Sequence, residues 1–384
     1  MTHKNKILFV IGSVNQTSQM HQIALCLPEC DCFFTQYFGD HPIIRYATEK
    51  GWMDNTIMGK GRFKQMSDAY LSKHGLQNDY RGEQLGNKYD LVVLCTDMTV
   101  PKIARNTKSL WVQEGMIDQK TWRSKLVKAL RLPAFWTADT SLNGSSNLCD
   151  IYCAASEGYR NYFAQMGTDP HKIVVTGIPN FDNAARLLQS RFPISGYVMV
   201  ATSDIRETYR SDDREGFLQR AVQIANGRQL LFKLHPNENY DIATAEIRRI
   251  APPNALIYQE GNTDEMIAHC DELITQWSTV VYTGIALGKK VHSYFDLDRL
   301  YELAPVQNGG QSAKNIADIC RAYLAHQGSK ETFRDQVLPI FTFEHQVHSH
   351  PTRPSTQTIT LPPFERVAQY FANNSLFGTK KVQQ

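Results

Sequence analysis

Apolar residues in this chain fall into short continuous runs separated by segments of helical spacing. Lys6 to Ile11 (KILFVI) is the first run and ends at Gly12-Ser13. Thr17 to Leu27 follows with apolar positions at Met20, Ile23, Ala24 and Leu27. The pattern predicts strand, loop, helix. The same alternation recurs at Tyr89–Cys95, Ser109–Val112, Asp150–Ala155 and Lys172–Gly177. Buried strands spaced by helices predict a parallel sheet covered on both faces. A second series begins after Phe192-Pro193 with Tyr197–Thr202, Gln229–Leu234, Ala255–Gln259, Glu272–Gln276 and Lys290–Phe295, spaced by helical segments that include Arg214–Ala225 and Thr263–Cys270. The pattern therefore predicts an α/β chain of two doubly wound domains, residues 1–190 and 195–328, with a hinge near Leu187 to Gly196. A tail of 329–384 follows, carrying an amphipathic terminal helix from Pro363 to Phe371.

Length agrees with two domains, because 384 residues exceed what one hydrophobic core usually supports. Lys plus Arg total 41 against 38 Asp plus Glu, a formal charge of +3 that disfavours nucleic acid as the main partner. No stretch reaches the ~20 apolar residues of a membrane span, and the first run is too short for a signal peptide, so a cytoplasmic protein is expected. Lys380, Lys381 and the aromatic C-terminal segment leave peripheral contact with an anionic inner membrane face open. The eight cysteines, at 26, 30, 32, 95, 149, 153, 270 and 320, read as reduced core thiols, since Cys26, Cys30 and Cys32 have no fourth ligand at a zinc spacing.

Parallel sheets bind ligands beyond the carboxyl ends of their strands, so the loops there carry the candidates. In the first domain, Trp111-Val112-Gln113-Glu114-Gly115-Met116 puts a carboxylate at a strand end beside a glycine that admits a ligand. Glu114 reads either as a group facing an interdomain cleft and able to take a proton from a sugar hydroxyl, or as a surface residue at a turn. Asp97, after the preceding strand, and Ser13, Asn15 and Gln16, after the first, line the same expected rim. In the second domain, His235-Pro236 ends a buried strand, and Ser278-Thr279 occupies the expected start of a helix running to Leu287-Gly288. His235 alone reads equally as structural, and Ser278 as a simple helix cap. Together, on neighbouring strand ends, they are expected to converge on one phosphate. Arg206 and Arg210 offer bidentate contacts to a diphosphate, although an exposed loop is the better reading of either alone. Asn308-Gly309-Gly310 reads as a turn.

With these residues in view, residues 4 to 325 resemble the GT-B superfamily, shared by nucleotide-sugar glycosyltransferases and the non-hydrolysing UDP-N-acetylglucosamine 2-epimerases. Asp150 to Asp182 is the most epimerase-like stretch. Gln113-Glu114-Gly115, His235-Pro236 and Ser278-Thr279 resemble the motifs of enzymes using CMP-activated sialic acid or Kdo and, more distantly, of CDP-glycerol transferases, with Gln113 where those carry a first acidic residue. The resemblance implies two Rossmann-like domains facing a central cleft, an N-terminal acceptor domain and a C-terminal nucleotide-sugar domain. Glu114 would be the general base, His235 would meet the leaving phosphate, and Ser278 and Thr279 would bind it. The chain is read as having no Asp-x-Asp metal motif, so the implied reaction is an inverting, metal-independent transfer without a cofactor, onto a cell-envelope glycan or glycolipid. The epimerase reading is the alternative, against Tyr282-Thr283 where epimerases carry a glutamate pair and Gly12-Ser13-Val14-Asn15-Gln16 where they carry an Arg-containing loop. A catalytically silent sugar-nucleotide-binding protein is the third.

Overall fold

The computed structural model describes residues 4–117, 122–130, 132, 134–137, 140–203 and 212–343. Among the described residues the chain divides into two compact units, one comprising those up to Asp182 together with those from Pro305 to Phe343, the other Asn183–Ala304. In the first, seven parallel strands, β1 (Lys6–Ile11), β2 (Asp31–Gln36), β3 (Gln77–Asn78), β4 (Leu91–Leu94), β5 (Lys108–Val112), β6 (Ile151–Ala154) and β7 (Ile173–Val175), lie in the order β3-β2-β1-β4-β5-β6-β7. In the second, β8 (Tyr197–Ala201), β9 (Leu230–Lys233), β10 (Leu256–Tyr258), β11 (Cys270–Thr275) and β12 (Lys290–His292) lie in the order β10-β9-β8-β11-β12. Both are doubly wound, with the order reversing between β1 and β4 and between β8 and β11. Ligands bind at the carboxyl edge beside such a reversal.

Every strand run named from the pattern is present. β2 and β3 have no counterpart among the predicted runs: β3 is two exposed residues, and the first half of β2 is only partly buried, so neither shows a long apolar run. Ile7, Phe9 and Ile11 on one face of β1 meet Phe34 of β2, Leu91 and Val93 of β4, and Met20 and Ile23 of the helix Val14–Leu25.

The expected domain limits need correction. The helix Ser312–Ala325 buries Ala313, Ile316, Ala317, Ile319, Cys320 and Tyr323 in the core of the first sheet, so residues 305–328 belong to the first unit. Lys108 caps that helix, its Nζ donating to the carbonyls of Tyr323 at 2.7 Å and His326 at 2.9 Å. The first unit ends at Asp182, ahead of the expected hinge, because Asp182 Oδ2 accepts from the Ser312 amide at 2.6 Å and so belongs with the returning helix. The expected terminal helix lies outside the described residues. Among the described residues no helix is long and apolar enough to cross a membrane. Cys95, Cys149, Cys153, Cys270 and Cys320 are buried, while Cys26, Cys30 and Cys32 pack half-buried against the first core.

Candidate active site

β1 ends at Gly12, and Ser13 caps the helix that follows: its Oγ accepts from the Gln16 amide at 3.2 Å, and Gln16 Oε1 accepts from the Ser13 amide at 3.2 Å. This reciprocal arrangement satisfies helix N–H groups that would otherwise lack partners. Its free polar atoms converge on Glu114 at the end of β5. Gln16 Nε2 donates to Glu114 Oε2 at 2.6 Å, while Ser13 Oγ and Asn15 Nδ2 reach Oε1 at 3.3 and 3.4 Å. The structure thus brings together Ser13, Asn15, Gln16 and Glu114, four of the residues singled out from the sequence. The helix has no acidic residue in its own first turn, and the Glu114 carboxylate supplies the negative charge its N-terminus favours.

Burial pushes the Glu114 carboxyl above its ordinary range, and hydrogen bonds from Gln16, Ser13 and Asn15 oppose that only in part. Oε2 holds the one short contact, whereas both bonds to Oε1 are near the limit of useful length. Oε1 is therefore the oxygen less committed to the protein. A partly desolvated carboxylate with one lightly engaged oxygen is suited to accept a proton.

Surrounding residues hold this arrangement. Gln19, one turn beyond Gln16, donates to the Gln113 carbonyl at 3.1 Å. Asn180, in the loop after β7, donates to the carbonyl and side-chain oxygen of Asn15 at 3.0 and 3.1 Å, and itself accepts from Gln22 at 2.7 Å. At Gly12, a Cβ would stand 2.6 Å from Gln16 Oε1 and 2.8 Å from Ile57 Cβ, so glycine is required there.

Three other candidates of the first domain have different work. Gln113 is fully buried; its Oε1 accepts from the Ala155 amide at 2.9 Å and its Nε2 donates to the Gly115 carbonyl at 2.8 Å, fastening the β5 loop to the β6 loop. Asp97 is buried and faces inward, accepting from the amides of Gly144 at 2.6 Å and Ser146 at 2.9 Å, which places it in the support of the 143–146 turn and not on a ligand rim. Burial raises its carboxyl despite these donors. Gly115 has open space where a Cβ would stand, so no contact among the described residues demands glycine there.

In the second unit, Thr202 and Ser203 follow the central β8, with His235 after β9 on one side and Ser278 after β11 on the other. β9 and β11 are therefore not neighbours, as the expected shared phosphate supposed, but stand about 10 Å apart with β8 between them. The β8 loop ties the two together. Thr202 Oγ1 donates to the Glu238 carboxylate, and Ser203 Oγ donates to Gln276 Oε1 at 2.8 Å. Glu238 also accepts from the His235 amide at 2.8 Å and pairs with Arg214 at 2.7 Å, both side chains being almost fully buried. The Asn237 amide donates to His235 Nδ1 at 3.2 Å, which places the proton of a neutral ring on Nε2.

Ser278 and Thr279 precede the helix and do not open it, as was expected of them. The helix is Val281–Ala286, with Ser278 and Thr279 forming the turn before it, where their carbonyls accept from the amides of Val281 at 3.3 Å and Tyr282 at 3.1 Å. Arg206 and Arg210 lie outside the described residues. Asn308 is an internal fastener of the first unit, its Nδ2 donating to the Thr176 carbonyl at 2.8 Å. One acidic spacing does occur: Asp296-Leu297-Asp298. Asp296 caps the helix Leu297–Leu303 by accepting from the amides of Asp298 and Arg299 at 3.0 and 3.3 Å.

Sequence reasoning missed Glu238, Arg214 and Asn180. Glu238 carried a signal, lying three residues after His235 where a turn closes on itself; Arg214 and Asn180 carried none, because their partners are distant in sequence.

No protein-family model matches the sequence, and no curated protein matches it. Solved structures do. A Listeria monocytogenes protein assigned as a UDP-N-acetylglucosamine 2-epimerase superposes with a TM-score of 0.51 at 12% identity, over 85% of this chain and 98% of that one. A second UDP-N-acetylglucosamine 2-epimerase gives 0.50 at 13% identity, over 85% and 99%. MnaA of S. aureus, in a co-structure with UDP, gives 0.50 at 12% identity, over 83% and 97%. The likeness is one of fold: the chain has the GT-B fold, with two Rossmann-like units.

Proposed function

We propose that the protein transfers a sugar from a nucleotide-activated donor to an acceptor hydroxyl, with inversion and without a metal. The observation that carries this reading is the Glu114 carboxylate, raised by burial and held by Gln16 with Oε1 lightly engaged. The acceptor oxygen attacks the anomeric carbon and its proton passes to Glu114 Oε1. The bond from that carbon to the phosphate oxygen breaks, and the electron pair leaves with the nucleotide. In the second unit, the resemblance of His235-Pro236 assigns His235 to a nucleotide phosphate, from a turn fixed by Glu238. One carboxylate used as a base, with no covalent intermediate, gives inversion.

Support for a nucleotide-sugar donor comes from the fold and from the UDP bound by S. aureus MnaA. Resemblance of Gln113-Glu114-Gly115, His235-Pro236 and Ser278-Thr279 to the CMP-sialic acid and Kdo enzymes favours a CMP-linked donor and a cell-envelope acceptor. Epimerisation of UDP-N-acetylglucosamine is the second reading, favoured by the structural matches themselves. Thermal shift with CMP, CDP, UDP and GDP separates the two, because a ligand of the folded state raises the apparent Tm. Stabilisation by CMP, with no 2-epimer in proton NMR after incubation with UDP-N-acetylglucosamine alone, is the expected result. Enzymatic turnover to the epimer makes the second reading correct.

A further inference from the structure

The chain leaves the carboxyl end of β2 on a long excursion before the helix Arg62–Lys73 carries it to β3. Its first element, the helix Pro42–Glu49, buries only Ile44. Ile43 is 70% exposed and Tyr46, three residues on along the same helix face, is 52% exposed. Trp52 is 73% exposed and stands edge-on to Tyr46, with ring centroids 5.8 Å apart. A monomer gains nothing by holding a tryptophan, a tyrosine and an isoleucine in water.

Contiguity follows from the backbone. At Gly59 a Cβ would stand 2.1 Å from the Met53 carbonyl oxygen, and at Gly61 2.2 Å from that of Asp54, so the loop is folded tightly on itself. This fold sets Trp52 beside the start of the next helix, where Phe63 and Met66 are also exposed, three residues apart on one face. Basic residues run through the same surface. Between His41 and Met66 there are five Lys or Arg and two carboxylates, Glu49 and Asp54. Arg45, Lys50, Lys60 and Arg62 are exposed, and none of them is in an ion pair among the described residues.

We infer that this excursion docks the protein onto an anionic membrane surface. Tryptophan and tyrosine settle at the level of lipid headgroups, isoleucine and methionine enter the acyl boundary, and unpaired lysines and arginines are drawn to anionic lipid. A protein partner fits less well, since lysine is depleted from protein–protein interfaces. A second excursion from the same carboxyl edge, after β5, also exposes apolar side chains, Leu126, Leu130 and Trp136, with Lys125 exposed beside Leu126. The two flank the edge on which Glu114 stands.

The test is flotation of the full chain on vesicles of phosphatidylcholine containing phosphatidylglycerol, with phosphatidylcholine alone as the neutral arm. Binding needs no nucleotide, so the result is independent of the transfer reaction. One variant combines Ile43→Ser and Trp52→Ser; the other combines Arg45→Gln, Lys50→Gln, Lys60→Gln and Arg62→Gln, all at exposed positions that leave the core untouched. The protein is expected to float with the anionic vesicles only, weakening as salt rises, and each variant is expected to lose at least about tenfold in partitioning while keeping its circular dichroism spectrum. Absence of flotation on anionic vesicles overturns the inference. So does flotation unchanged in both variants, including the case in which the apolar variant instead alters the oligomeric state and reveals a protein contact.

Discussion

Gln16 Nε2 donates to Glu114 Oε2 at 2.6 Å, joining the first turn of the first helix to the end of the fifth strand across 98 residues of sequence. The contact depends on Gly12, whose missing side chain leaves room for Gln16 Oε1. Gly12→Ala is therefore expected to displace Gln16, costing about 1–3 kcal/mol as other overpacked sites do. Activity should fall with it. Urea denaturation and a turnover assay check this, and a variant of unchanged stability and activity would show that the contact is dispensable.

Glu114 makes a second prediction through its own ionisation. Burial raises its carboxyl in the folded state, so the ionised form is the one the fold disfavours, and that cost is present at neutral pH. It disappears as pH falls and the carboxyl protonates in folded and unfolded chains alike. Glu114→Gln is expected to melt above the unaltered protein at pH 7, with the difference closing below about pH 4. A lower Tm at pH 7 would mean that the carboxylate is chiefly a structural anchor for the helix.

In the second unit, Glu272 has the opposite sign. Burial acts to raise its carboxyl, but hydrogen bonds from Arg228 at 2.8 Å, His292 at 2.9 Å and Lys290 at 3.2 Å outweigh it and hold the group at about 2. A depressed carboxyl stabilises the fold above its unfolded value and loses that stabilisation as pH falls toward 2. Glu272→Gln is expected to cost roughly 2 kcal/mol at pH 7, discounted for the part-exposed Arg228 and Lys290, and progressively less below about pH 4. Denaturant titrations at the two pH values measure it.

The Arg214–Glu238 pair holds the His235 turn from beneath. Removing one partner strands a buried charge, so Arg214→Ala is expected to cost about 3–5 kcal/mol. Arg214→Met with Glu238→Gln should recover much of this stability. Nucleotide binding should recover less, because the neutral oxygen of glutamine holds the His235 amide and the Thr202 hydroxyl more weakly than the carboxylate does. Chemical denaturation beside calorimetric nucleotide titration separates these effects.

What was legible in the sequence follows from range. Strand runs such as Leu91–Leu94 and Tyr197–Ala201 are apolar because both faces are covered, and that pattern is local. Glu114, Ser13 and Gln16 could be named together because a parallel sheet gathers its strand ends on one edge. The inward turn of Asp97 could not, since the Gly144 and Ser146 amides that bind it lie nearly fifty residues on, in a loop without periodicity. Helix Ser312–Ala325 has an ordinary amphipathic pattern, which says that it packs but not against which sheet. Hydroxyls before an apolar stretch usually mark a helix start, which is what the pattern at Ser278 predicts; Val281 begins this helix.

The central claim is that Glu114 takes the acceptor's proton, and Glu114→Gln tests it most directly. Glutamine keeps the size of the side chain and one oxygen for the Gln16 contact but cannot accept the proton. With the donor identified by thermal shift, turnover is expected to fall by about 10²- to 10⁴-fold, while calorimetric donor affinity stays within about twofold. In the unaltered protein the same base makes turnover rise with pH through the raised Glu114 value. Near-normal turnover by Glu114→Gln, at unchanged donor affinity, would contradict the account.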